Sequence, residues 1–435
     1  MSYFLAFFVK ISLNTHGHSL KIATARRRSA ELWRGEVGGS MSELLKTPLT
    51  DWHIENGAKM AEFAGYSMPI YYPTGALKEI QAVRNFSGLF DISHMRPIFV
   101  EGTLAREFLD FIDTRDLSGM KKGDAKYGIV CNEAGEPIDD IIVYMLSANR
   151  FLVISNAANG TRVYEHMRNV KMRYRLSNSQ VTFIDGRGKF GFISLQGPCA
   201  EAILSEAMPH ATIPKKYYSC RYGLPFGYLS LVAKTGYTGE SGFEILCRKT
   251  HTIEIWTRLL EVGCLDDIIP AGLAARDTLR LEAGMPLFGQ EMDKDHDPIT
   301  AGLGWAVNFT DNYFIGKYAL EKVRDGKVDP ASPKATQGKY FHAFIMGKGR
   351  VPRHGNRVMM TSSVFEKAGT SSTSDTVVEI GKLTSAGYSP TLGKNIAMGY
   401  LAKEFPIGTG VFIEIEGKFY EAKVTKHPFY KRVKK

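Results

Sequence analysis

Two adjacent carboxylates, Asp139 and Asp140, stand where the turn Asn132-Glu133-Ala134-Gly135-Glu136-Pro137 gives way to an apolar run ending at Tyr144. Side chains alternate across a strand, so the pair should point to opposite faces. One can then meet a pocket, and an acid at the mouth of an apolar strand titrates high enough to suit proton transfer. The alternative is that both close the turn as Asx-type residues, and on local sequence alone that plainer reading is favoured. Thr235-Gly236-Tyr237-Thr238-Gly239-Glu240-Ser241-Gly242-Phe243-Glu244 packs glycines, two aromatics and two acids into ten residues. Glycines permit close backbone approach to a ligand. A carboxylate such as Glu244 can accept two donors from an amino-heterocycle edge, as in a pterin or guanine. A β-hairpin whose glycines only satisfy turn geometry explains the segment equally well. Arg276 and Arg280 lie four apart, so they share one side of a helix. Arg276 could reach a carboxylate or a ligand, or the pair could belong to a solvated charged face. His94, within Phe90-Asp91-Ile92-Ser93-His94-Met95, reads by itself as a structural histidine.

Several chemistries lack support. Gly186-Arg187-Gly188-Lys189-Phe190-Gly191 matches GxGxxG literally. A dinucleotide fingerprint needs a helix after the third glycine, and here the strand-like run Phe190–Leu195 follows, so a hairpin turn is expected. No GxxxxGK[ST], HExxH or GxSxG motif occurs, which leaves metal, Walker-type phosphate and serine-hydrolase chemistry without a signature. The five cysteines, Cys131, Cys199, Cys220, Cys247 and Cys264, include no CxxC pair. Reduced thiols are expected rather than a disulfide framework, a zinc ribbon or a redox pair. Neither a metal nor a nucleotide cofactor is therefore expected.

The elements that must position these residues can be read in outline. Leu77, Ile80 and Val83 recur at helical spacing after Thr74, a candidate N-cap. A second helix runs through Leu104, Phe108, Leu109 and Ile112. Strand-like runs follow at Pro97–Val100, Ile141–Leu146 and Phe151–Ser155. Gly197-Pro198 reads as a helix start, and Ala271–Ala283 as a helix framed by Pro270 and Gly284. Helices interleave with strands without a strict βαβ rhythm, which points to an α+β fold. From about Lys339 the character changes. Runs at Tyr340–Met346, Val377–Leu383, Ala397–Leu401, Val411–Ile415 and Phe419–Val424 alternate with glycine turns, and no helix is expected after Val323. That pattern reads as a small all-β barrel or sandwich over 338–430. Asp325–Gln337 reads as a linker and Gly369–Asp375 as a solvated polar insertion.

The whole chain has 435 residues, enough for roughly three domains. Hydrophobic residues make up 44% and charged residues 23%, which excludes disorder as the overall state. The net charge of +10 favours acidic partners without naming one. It is the sole feature pointing to nucleic acid, for which no RNP, zinc-finger or helix-turn-helix signature appears. No run of apolar residues is long enough for membrane insertion as a helix. Residues 1–40 carry six basic side chains (Lys10, Lys21, Arg26, Arg27, Arg28 and Arg34) and two acids (Glu31 and Glu36). This acid-poor stretch reads as a mitochondrial transit peptide, which would place the protein in the matrix. The alternative is an untranslated extension with Met41 as the start.

Taken together, the segments resemble the aminomethyltransferase, or T-protein, family of the glycine cleavage system. The resemblance rests on Lys46–His53, Met60–Pro69, Gly88–Met95, Asn132–Tyr144, Leu195–Pro198, Thr235–Glu244, Ala271–Met285, Leu287–Met292, Ile315–Lys317 and Thr384–Gly393. These run in family order across roughly 44–430, and the ordered set is far more specific than any one motif. The resemblance implies a three-domain cloverleaf around a central folate site, with 44–325 forming two interleaved α+β domains and a C-terminal β-barrel following. It implies transfer of a one-carbon unit from the aminomethyl-lipoyl H protein to tetrahydrofolate. The products would be 5,10-methylenetetrahydrofolate, ammonia and the dihydrolipoyl H protein. The family's catalytic aspartate falls on Asp140 and its pterin-reading glutamate on Glu244. Tyr127, Tyr237 and Met95 map to residues lining the pterin, Asn156 to a polar pocket residue and Arg276 to a folate-site arginine. Three departures stand out: Tyr66 for the usual tryptophan, Glu136-Pro137 within the usual Gly-Gly, and Phe288 for a common tyrosine. Lys121, Lys122, Lys426, Lys431, Arg432, Lys434 and Lys435 are candidates for steering the acidic H protein and the folate tail. Two other readings stay open. One is a folate-dependent demethylase of the same fold. The other is a non-catalytic folate-binding accessory protein, whose Lys-Gly-Cys-Tyr-x-Gly-Gln signature is replaced here by Met285-Pro-Leu-Phe-Gly-Gln.

Overall fold

A computed structural model describes residues 44–310, 312–327, 340–347, 349–361 and 377–432. The leader, most of the Asp325–Gln337 linker, the Gly369–Asp375 insertion, Lys434 and Lys435 lie outside the described residues. A short helix α1 (Thr50–Glu55) and a hairpin of β1 (Lys59–Phe63) and β2 (Tyr66–Tyr71) lead into α2 (Ala76–Asn85) and β3 (Ser87–Asp91). Thr74 is not the cap of α2. Gly75 holds that place at φ 80°, with no side-chain cap. Of the three apolar positions expected to face inward, Ile80 and Val83 are buried, while Leu77 is 52% exposed. The inner face of α2 instead buries Glu79 and Arg84, whose charges are partnered by distant segments.

The chain then builds a complete sheet before returning to the first. Strands β4 (Arg96–Glu101), β5 (Ala125–Cys131), β6 (Pro137–Ser147), β7 (Arg150–Ser155) and β8 (Thr182–Asp185) lie in the order β5-β6-β7-β4-β8. Helices α3 (Ala105–Ile112) and α4 (Gly160–Arg173) cover one face. They share a core of Phe108, Leu109, Ile141, Val143, Phe151, Val163 and Met167. Strand β9 (Phe190–Gln196) returns beside β3. With β10 (Cys220–Gly223), β11 (Ser230–Ala233), β12 (Gly242–Arg248) and β13 (Ile268–Pro270) it completes the sheet β10-β11-β12-β9-β3-β13. Helices α5 (Ala200–Ala207) and α6 (Thr252–Val262) cover its outer face. The α5 helix starts at Ala200, two residues beyond Pro198, with Cys199 at its N-cap. The GxGxxG match is not the expected hairpin turn: it links β8 of one sheet to β9 of the other, and its last two residues already belong to β9, so the flanking strands do not pair.

The two sheets meet face to face. Phe90, Phe192 and Leu246 of one pack with Phe99, Tyr144, Leu152 and Ile154 of the other, and helix α7 (Leu273–Glu282) adds Ala275 and Leu279. Burying both faces of both sheets yields helix, sheet, sheet and helix in layers, a mixed architecture. After α8 (Lys317–Arg324), strands β14 (Tyr340–Met346), β15 (Arg357–Thr361), β16 (Val377–Ser389), β17 (Lys394–Leu401), β18 (Gly410–Ile415) and β19 (Lys418–Thr425) close a six-stranded barrel. Its interior holds Phe344, Val358, Leu383, Leu401 and Ile413. Closure removes the free edges that a sandwich would leave. Strand β15 was not legible in the sequence, since Met359 and Met360 give little β signal. No helix among the described residues is long and apolar enough to cross a membrane.

Candidate functional site

Asp139 and Asp140 lie within β6, not at its turn. The turn is closed by Asn132, whose Oδ1 accepts the Ala134 and Glu136 N–H groups at 3.0 Å each. Strand alternation then separates the two acids. Asp139 is fully buried on the helix side. Its carboxylate accepts the Asn156 N–H (2.8 Å), Asn156 Nδ2 (2.9 Å) and Asn159 Nδ2 (2.9 Å), fixing the segment that opens α4. Asp140 faces the space between the sheets and is partly exposed. Asn156 Nδ2 also donates to Asp140 Oδ1 at 2.9 Å, so a single amide bridges both acids. Burial raises the Asp140 pKa, opposed by its own backbone, the Asn156 amide and the Tyr127 hydroxyl. Burial raises Asp139 too, with the charge of Asp140 adding to it. The pair titrates as a unit, and its partly exposed member, Asp140, is the one open to exchange protons with a substrate.

Tyr127 reaches Asp140 diagonally. On the paired strands Ile129 sits opposite Asp140 and Tyr127 opposite Ile142, a spacing that aromatic side chains can cross. Its ring stacks on Trp305 at 5.5 Å between centroids and 26° between planes.

On the facing sheet, Glu244 in β12 is 6% exposed. Its Oε2 accepts the Thr235 hydroxyl at 2.6 Å, and its Oε1 has no protein partner among the described residues. Burial raises its pKa, while Thr235 and the charge of Arg276 pull the other way. Arg276, on α7, carries a buried Nη1 without a hydrogen-bond partner. Its guanidinium lies 4.9 Å from the Tyr237 ring centroid. Tyr237 is fixed in turn by donating to the Pro286 carbonyl at 2.6 Å. A buried guanidinium N–H lacking a partner is a costly feature in a packed interior. With the Glu244 carboxylate beside it, it matches a planar ligand edge that offers an acceptor and donors. Met95 packs against the same inter-sheet core. Next to it His94 is 4% exposed, and burial holds its pKa down to about 4, so it is neutral at physiological pH.

Helix α7 is positioned by the barrel. Glu282 accepts Arg84 Nη2 at 2.7 Å, the Ser389 hydroxyl at 2.6 Å and the Thr391 hydroxyl at 2.8 Å. Arg280 reaches Glu291 Oε2 at 3.0 Å and the Ser385 hydroxyl at 2.8 Å. Just before the helix, a Cβ on Gly272 would overlap the Ile70 carbonyl, so only glycine lets α7 sit this close to β2.

The structure thus groups Asp140, Tyr127 and Asn156 on one sheet against Glu244, Arg276 and Tyr237 on the other side, with Met95 in the shared core. Charge interactions of Tyr127 and Tyr237 with Asp140 join the groups. Sequence reasoning missed four neighbours. Tyr144 approaches Thr235 through its hydroxyl (3.4 Å) and lies near Glu244; counting four residues along the strand from Asp140 would have found it. Thr235 stood in the quoted segment without a role. Tyr218 faces Glu244 and Asp140 from a loop, at φ 55°, with no local pattern to mark it. Trp305 is brought in solely by the fold. Two clefts of about 360 and 390 Å³ open elsewhere, sharing Leu45, Tyr66 and Arg187, and none of the seven expected residues lines them.

Residues 49–311 match the family model of the GCVT N-terminal domain, and residues 339–431 match that of the glycine cleavage T-protein C-terminal barrel domain. An aminomethyltransferase of Desulfitobacterium hafniense is 36% identical over 393 residues, covering 90% of this chain and all of the relative. One from Thermotoga maritima is 36% identical over 387 residues, covering 89% and 98%. The crystal structure of the glycine cleavage system aminomethyltransferase T from Bartonella henselae superposes with a TM-score of 0.75 at 31% identity, covering 89% of this chain and 99% of that one.

Proposed function

This chain belongs to the glycine cleavage T-protein family of tetrahydrofolate-dependent aminomethyltransferases. On that premise we propose that it takes the aminomethyl group from the lipoyl arm of the H protein and passes the one-carbon unit to tetrahydrofolate. Ammonia, 5,10-methylenetetrahydrofolate and the dihydrolipoyl H protein are the products. Tetrahydrofolate, when bound, supplies the nucleophilic amine. Glu244 and Arg276 would hold the polar edge of its pterin, for which their unpartnered oxygen and N–H are suited. Tyr127, Tyr237 and Met95 would flank it.

The observation that carries the reading is the division of labour in the acid pair. Asp139 is committed to three amide donors, whereas Asp140 faces the space between the sheets beside Tyr127, with a pKa raised by burial. Asp140 is then placed to hold and steer a proton as ammonia leaves, and Asn156 fixes its orientation. The acid-poor composition of residues 1–40 extends the proposal to the mitochondrial matrix.

The test is single-turnover ammonia release on mixing the purified protein with tetrahydrofolate and aminomethyl-lipoyl H protein. Folate-dependent release with methylenetetrahydrofolate formation is expected. Asp140→Asn should keep folate affinity within a few-fold and lose roughly 100-fold or more in rate. Near-parental turnover in that variant would reject the catalytic assignment. Bound folate without ammonia release would move the reading to a demethylase with a small methylated donor.

A further inference from the structure

Trp305 is 58% exposed, yet its position is specified from several sides. Arg115 Nη1 donates to the Trp305 carbonyl at 2.5 Å, and the Arg115 guanidinium lies 5.7 Å from the indole centroid. Beside this contact, the residue before Arg115 is joined twice to the residues that follow Trp305. The Thr114 hydroxyl donates to the Ala306 carbonyl at 2.9 Å, and the Asn308 N–H donates to the Thr114 carbonyl at 2.8 Å. The Arg115 segment is itself joined to β5 two residues from Tyr127. The Thr114 N–H donates to the Ile129 carbonyl at 2.9 Å, and the Ile129 N–H donates to Asp113 Oδ1 at 3.1 Å. The result is a strap that ends in an indole lying flat on the Tyr127 ring. An indole that buries mainly one face adds little to the core, so packing alone does not account for the arrangement.

We propose that Trp305, held by Arg115, is a positioning residue that keeps the Tyr127 phenol on the Asp140 carboxylate. Tyr127 must cross a diagonal to reach Asp140, and a ring free to tilt would place its hydroxyl there only part of the time. Stacking on Trp305 limits that tilt, and the Tyr127 hydroxyl is among the groups that favour the ionised Asp140. The other groups facing Asp140 cannot substitute. Asn156 already donates to it, Asp139 is met by its charge and is itself raised by it, and Tyr218 and Tyr237 sense Asp140 through charge. The cations facing this cluster are Arg115, through Tyr218, and Arg276 and Arg280, through Tyr237. The inference rests on the reading of Asp140 as the proton-handling group, and its test needs no substrate.

The experiment is a 13C carboxyl NMR titration of the ligand-free full-length protein, with the Asp140 signal assigned by its loss in Asp140→Asn. Trp305→Ala should raise the Asp140 midpoint by roughly half a pH unit, because it weakens a hydrogen bond to the charged form. Trp305→Phe, which keeps a stacking ring, should restore most of it. Tyr127→Phe, which keeps the packing, should raise the midpoint at least as far, and adding Trp305→Ala to it should change nothing more. An unmoved midpoint in Trp305→Ala, or a further shift in the double variant, would overturn the proposal. Failure of turnover in the parent would sink the functional reading and leave the titration result standing.

Discussion

Asp139 and Asp140 are neighbours in sequence with the same chemistry, and one strand step puts one among amide donors and leaves the other partly exposed between the sheets. Burial lifts Asp140 to about 6. A step that needs its ionised form should therefore slow as pH falls from 7 to 5, read as the single-turnover rate against pH; a flat profile would count against it. Glu244→Ala should weaken folate binding tenfold or more, about 1.4 kcal/mol, with a smaller effect on the rate at saturation, and unchanged affinity by titration calorimetry would remove Glu244 from the site. Asp113 offers a test unrelated to catalysis. It is fully buried, its Oδ2 lacks a partner, and burial raises its pKa to about 7. A carboxyl whose folded pKa is raised stabilises the fold below its unfolded pKa, and that contribution is lost as pH rises through the folded value. Asp113→Asn cannot ionise, so it should gain on the parent by roughly 1–3 kcal/mol between pH 4 and pH 8 in paired urea titrations.

Helix α7 connects the site to the barrel. Arg276 points toward Glu244 and Tyr237, and Arg280 and Glu282, on the next turn or two, are gripped by residues of β16 and the turn after it. Glu282 also neutralises Arg84, which is 9% exposed and has Tyr430 4.0 Å from its guanidinium. Glu282→Ala would leave Arg84 buried with only part of its partner charge and strip two hydroxyls of their acceptor. A loss of roughly 3–5 kcal/mol in urea unfolding is expected, since breaking a buried ion pair leaves an uncompensated charge. Weaker folate binding should accompany it, because Arg276 shares the helix. An unfolding midpoint equal to that of the parent would show that the barrel does not hold α7.

At the scale of the whole molecule the net charge is +10. Lys121, Lys122, Lys426 and Lys431 are exposed, whereas Arg432 is partly buried with its guanidinium 5.6 Å from the Tyr217 ring centroid. Exposed charges act through solvent and are screened over about 10 Å at 0.1 M salt. If they steer an acidic H protein, its dissociation constant should rise several-fold between 50 and 300 mM salt, mostly through slower association. A salt-independent constant would refute steering.

The residues themselves determined the mixed fold, the all-β character of the C-terminal part and the opposite facing of Asp139 and Asp140, because alternation, periodicity and turn chemistry are local properties. The ordered motifs determined the family. Local signals could not set the entry to α2, where backbone freedom at Gly75 replaced the expected Thr74 cap, nor the exposure of Leu77, which depends on what lies across from it. Only the tertiary structure decided that Arg84, Glu240 and Glu282, far apart along the chain, would share one buried cluster, and that Trp305 would lie on Tyr127. Those pairings come from two sheets and a barrel closing on one another. A contact between distant segments leaves no periodic trace in either of them.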